Sequence, residues 1–187
     1  ALSASGVKGL GATQFAGLDT DDIGVLTSAQ LAALSSAQIG VLTSAQVLAF
    51  DTTDLAAITT SAIKGLSTAN VLALSTSQVA GLTTANLAAL TTAQVAGLLT
   101  QQVAAMTTDQ LDNLASDDLQ ALTTAQVMAL TTAQIAALST DQVALFETRD
   151  IAALSTAAIA GLTIVVGACG GSTAGFTFVG VARRSLS

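Results

Sequence analysis

The chain has 187 residues, enough for one domain, and is 51% hydrophobic, 3% aromatic and 9% charged, with a net charge of −7. That balance argues against a nucleic-acid partner, which needs basic patches and rings to stack on, and no apolar run reaches the ~18 residues that span a bilayer. There is no histidine, and Cys169 is the single cysteine, so a histidine base and an intrachain disulfide are both excluded.

From Leu2 to Leu162 one eight-residue phrase recurs without insertion or deletion, at its plainest in Leu122–Leu138, LTTAQVMALTTAQIAAL. Numbering the phrase from 0, position 0 is Leu except at Phe50, Ile58, Met106 and Phe146, and position 5 is apolar in all twenty octads. Position 1 is mostly Thr or Ser and position 4 mostly Gln. Ser/Thr-x-x-Gln is a capping box, and the apolar residues at positions 0 and 5 then stand where a hydrophobic staple stands. Each octad therefore carries a complete helix start, and a start in every octad means that the preceding helix has ended. The pattern predicts helices of about six residues, bent at each Leu-Thr junction.

A single long helix fits poorly, because at 100° per residue the leucine column would spiral around it and form no stripe. A β-solenoid suits the Thr and Val, but Ala dominates positions 3, 6 and 7, and strands disfavour it. Helices this short are not stable alone. The expected fold is an all-α solenoid over residues 1–162, each repeat burying its apolar side on its neighbours.

The acids suggest how many octads make a coil. Asp22, Asp54, Asn86, Asp118 and Asp150 recur at position 4 of every fourth octad, and nine of the twelve acids lie in the octads that begin at residues 18, 50, 114 and 146. The expectation is four octads per coil with the acids along one side; the alternative is that a block of four octads was only the unit of duplication. The surface is expected to be Ala, Ser, Thr and Gln, weakly charged and prone to self-association.

In chain order, residues 1–17 are the loosest repeats: Gly6, Gly9, Gly11 and Gly17 weaken the helices, and Gly11 replaces a cap. Ala1 begins almost inside the first repeat, which fits either a removed leader or a slice of a longer array. At residue 99 the cap is Leu, with Thr100 the expected substitute. Residues 106–122 are the most acidic stretch. At Thr163 the pattern stops, and Thr163–Ala168 and Gly175–Ala182 read as two strands joined by a Gly-rich turn, a small C-terminal β-hairpin cap or assembly segment over residues 163–187. Cys169 in that segment is either idle or an interchain link.

No catalytic set is evident, so no enzyme activity and no cofactor are expected. The many hydroxyls are explained by capping. Asp21, Asp22, Asp117 and Asp118 are calcium candidates, since hard cations want several oxygens; a solvated acidic stripe is the plainer reading. Position 2 is Ser or Thr in eighteen of twenty octads and lies inside the helix, where its hydroxyl is not needed for the cap. A rigid solenoid displaying that column suggests ice binding as an alternative function.

The phrases LTTANLAAL at Leu82–Leu90 and LTTAQIAAL at Leu130–Leu138 resemble the octapeptide arrays of large bacterial secreted and cell-surface proteins of adhesin-like type. The resemblance covers residues 2–162 and brings no catalytic residues with it. It implies an extracellular rod, spacer or self-assembling filament segment, with other copies of the chain as partners.

Overall fold

The computed structural model describes residues 2–154, and among them every regular element is an α-helix. The helices are α1 (Ala4–Gly9), α2 (Ala12–Ala16), α3 (Thr20–Gly24), α4 (Ser28–Leu31), α5 (Ser36–Gly40), α6 (Ser44–Leu48), α7 (Thr52–Ala57), α8 (Thr60–Ile63), α9 (Thr68–Ala73) and α10 (Thr76–Gly81). They continue as α11 (Thr84–Ala88), α12 (Thr92–Ala96), α13 (Thr100–Ala105), α14 (Thr108–Asp112), α15 (Ser116–Gln120), α16 (Thr124–Ala129), α17 (Thr132–Ala137), α18 (Thr140–Val143) and α19 (Thr148–Ala153). The expected β-hairpin cap, residues 163–187, lies outside the described residues.

One helix starts per octad, where the capping box places it. In α6 the Thr43 hydroxyl accepts from the Gln46 N–H at 3.3 Å, and Gln46 Oε1 accepts from the Thr43 N–H at 2.7 Å. The stop is equally local. The N–H at position 0 donates to the carbonyl at position 5, as Leu34 does to Leu31 at 3.1 Å, and closes the last turn. Position 0 and the following cap residue then take extended angles at many corners, as at Leu74 (φ −56, ψ 136) and Ser75 (φ −68, ψ 159). At α13 the cap position is Leu99, so Thr100 does not replace the missing hydroxyl; it is the first helical residue. The glutamine half of the box survives, Leu99 N–H donating to Gln102 Oε1 at 2.7 Å.

The helices stack in coils, but not four octads to a coil. Helix n packs on helix n+3, from α1 on α4 to α16 on α19. Side-chain bonds between coils recur at separations of 28 and 31 residues, as from Gln38 to Leu10 and to Val7. Helix contacts fall three octads back and the shorter amide bonds three and a half, so a coil holds between three and three and a half octads, and the position 4 amide reaches a corner of the coil before it.

Position 5 fills the interior: Ile39, Leu55, Val71, Leu87 and Val103 are all fully buried. Position 0 lines it from the corners, with Leu42, Leu74 and Leu90 buried beside them. Toward the two ends of the described array burial weakens, and Leu10, Leu18, Leu26, Phe146 and Ile151 are only partly covered.

The small residues divide by role. Position 3 alanines such as Ala37 and Ala93 face solvent. At position 7 a glycine touches position 2 of the coil before it: a Cβ on Gly81 or on Gly97 would come within 2.5 Å of the Thr52 or Thr68 methyl, and one on Gly65 would overlap the Ser36 backbone.

Candidate functional site

The most ordered polar assembly in the molecule is the column at position 4. Its amides are inside, not on the surface as expected: Gln30, Gln38, Gln46, Gln78, Gln94, Gln102, Gln110, Gln126 and Gln134 are between 1% and 9% exposed. Each such side chain works twice. Oε1 accepts from the N–H of its own helix cap, and Nε2 donates back into the preceding coil. Gln134 Nε2 reaches the Met106 carbonyl at 2.8 Å and the Val103 carbonyl at 2.9 Å.

Eleven position 4 amides donate to the position 0 carbonyl 28 residues back. Asparagine does the same despite its shorter arm: Asn86 Nδ2 reaches Leu55 O at 3.0 Å and Ile58 O at 2.9 Å. These carbonyls are the orphan acceptors that every helix end leaves, so one amide settles a helix start and the helix end beneath it.

That requirement sets the stagger. With four octads per coil, amide would sit over amide and the corner carbonyls would have no donor. With fewer than four, the amide reaches the corner. The acids, recurring in every fourth octad, overshoot each coil by half an octad or more and wind around the rod instead of lining one side. The four-octad spacing thus fits the unit of duplication better than the unit of winding.

The double use of glutamine was legible in one detail. Glutamate serves a capping box as well as glutamine does, yet the chain's single glutamate, Glu147, is not at position 4. A column that prefers the amide over the acid is a column whose N–H₂ has work to do.

The calcium candidates differ in burial. Asp21 is exposed; Asp22 sits in a box with Asp19, whose carboxylate accepts from the Asp22 N–H at 2.8 Å. Asp117 faces solvent while its neighbour Asp118 is buried, 4% exposed. Among the described residues no group of three or more His, Cys, Asp or Glu side chains is placed to hold a metal ion. A cavity lined by Leu2, Val7, Leu10, Leu18 and Leu26 opens the apolar interior at the first coil.

The position 2 column is not a free-standing grid. Thr92, Thr100 and Thr132 are exposed, but the Thr52 and Thr68 methyls lie against Gly81 and Gly97 of the next coil. Large apolar side chains do reach the surface: Leu72, Leu99 and Met128 are 41%, 48% and 56% exposed. No helix among the described residues is long and apolar enough to cross a membrane.

The ALTTAQ repeat family matches the chain four times, at residues 15–52, 47–84, 82–116 and 111–146. No curated protein and no solved structure matches it.

Proposed function

The chain belongs to the ALTTAQ repeat family, and from that premise we propose that it is a structural segment, a stacked-helix rod that acts as a spacer or self-assembling unit outside the cell. The observation that carries this reading is the amide ladder. It ties each coil to the one before it through backbone carbonyls, which every repeat possesses, so the array extends without a unique residue. The outer faces offer Ala, Ser and Thr with few charges, a surface that favours association over dispersal. Leu72, Leu99 and Met128 add exposed apolar side chains to that surface. The bacterial cell-surface setting comes from the resemblance of the octads alone.

Electron microscopy and sedimentation over a range of concentrations test the proposal. Elongated particles and growth in mass with concentration are expected; compact, monodisperse particles at every concentration count against assembly. A second reading, ice binding, draws on the exposed hydroxyls of Thr92, Thr100 and Thr132. It requires thermal hysteresis that a bulky change such as Thr84→Tyr removes.

A further inference from the structure

We propose that α7 and α8 form an acid-closed seam, a place where two successive coils are held by packing alone at neutral pH and are latched by Asp54 when its carboxyl gains a proton. The observation is a gap in the amide ladder. Two consecutive position 4 residues, Asp54 and Ala62, carry no N–H₂ group. By the offsets at which Asn86 reaches Ile58 and Leu55, the acceptors below them are the carbonyls of Leu26 and Ile23 for Asp54, and of Leu34 and Leu31 for Ala62. Among the described residues no hydrogen-bond donor reaches Leu26 O or Leu34 O. The packing of α7 on α4 and of α8 on α5 remains.

Asn86 shows what Asp54 would do with a proton. It is the next member of the same every-fourth-octad series and has the same side-chain shape. One of its side-chain polar atoms, Nδ2, bonds the two carbonyls of the coil below, at 3.0 and 2.9 Å. Asp54 also holds the cap, Asp51 N–H donating to Oδ2 at 3.1 Å, and Asn70 shows the two halves together: its Oδ1 accepts from the Ser67 N–H at 3.1 Å while its Nδ2 donates to Leu42 O at 3.0 Å. Ionised, the other oxygen of Asp54 can only accept and offers nothing to a corner carbonyl. Protonated, that O–H donates to a corner carbonyl as the asparagine N–H₂ does; the proton comes from solvent and no other bond changes.

Desolvation by burial, and secondarily the Asp51 carboxylate, push the Asp54 pKa above its ordinary 3.8 against the opposing backbone hydrogen bond from Asp51. The elements packed on α7, namely α4 and α10, carry no titratable side chain. The corner below Asp54 follows α3, which brings Asp19, Asp21 and Asp22, all acids. A group whose folded pKa is raised adds stability that is complete below its unfolded value and is lost as pH rises through its folded value. The seam therefore closes toward acid and opens toward neutrality, opposite to the usual sense for a carboxylate in a cap.

The test compares the melting of the whole chain with that of Asp54→Asn and of Asp141→Asn, which makes the same charge change at an exposed site. At pH 7 the Asp54→Asn variant is expected to favour the folded state about two- to tenfold over the parent, the span of one net hydrogen bond, with Asp141→Asn near the parent. Near pH 3.5 the gain is expected to vanish. Hydrogen exchange at pH 7 localises it: the corner amide of Leu26 slows in Asp54→Asn, while those of Leu34, below the unchanged Ala62, and of Leu74 do not change. Equal melting of the two variants at pH 7, or a gain from Asp54→Asn that is the same at both pH values, overturns the proposal.

Discussion

Gln102 Nε2 donates to the Leu74 carbonyl at 2.7 Å, across 28 residues of chain, while Oε1 of the same side chain accepts from the Leu99 N–H at 2.7 Å. Because Leu99 offers no hydroxyl, this side chain alone starts α13. Replacing Gln102 by Leu leaves buried backbone groups unpaired above and below, and is expected to cost roughly 2–4 kcal/mol in urea unfolding. Its neighbour Gln101 is exposed; Gln101→Ala is expected to stay within about 0.5 kcal/mol of the parent. Equal costs would refute the ladder.

The glycines separate in the same way. Gly65→Val pushes a side chain into the Ser36 backbone of the coil before it, and a loss of more than about 3 kcal/mol, or failure to fold, is expected. Around Gly9 a Cβ meets nothing within 4 Å. There Gly9→Ala is expected to gain up to about 1 kcal/mol, as an open helical site allows. Thermal melting of the two variants distinguishes a contact glycine from a spare one.

Adjacent hydroxyls also differ in function. Thr43 caps α6, whereas Ser44 is its first helical residue. Thr43→Ala is expected to cost about 1 kcal/mol, and Ser44→Ala to be neutral or to gain a few tenths. The reverse order in a melting comparison would place the cap one residue later than the structure does.

Asp118 and Asp150 share a register and are both buried, yet they are predicted to respond oppositely to an amide. Asp150 is satisfied as a carboxylate: it accepts from the Thr124 hydroxyl at 2.7 Å and from the Glu147 N–H at 3.3 Å. For Asp118 the cap residue is Ala115, with no side-chain bond to the helix start. Asp118→Asn adds a donor toward the corner below and is expected to stabilise by about 1 kcal/mol, whereas Asp150→Asn is neutral or destabilising. Unfolding midpoints of the two single variants at neutral pH decide the matter.

Much of the fold was legible because its signals are local. A hydroxyl at Thr43 and an amide at Gln46 lie within one turn, and their pairing depends on no distant residue. Leu42 and Val47 likewise form their staple across one helix start. Helix starts, helix ends and the two apolar columns could thus be placed from the phrase alone. The interior position of Gln46 could not, because its second partner, the Leu18 carbonyl, is 28 residues away.

By itself the sequence determined that the backbone would fold as a train of capped, one-turn-plus helices with leucine and its branched companion turned inward. Only the tertiary structure decided how those helices wind. Composition repeats with every fourth octad, but backbone carbonyls carry no sequence label, and they hold the coil below four octads by demanding a donor at each corner. The repeat of the residues and the repeat of the rod differ because the first was copied along the chain, and the second is fixed by unpaired hydrogen-bond acceptors in space.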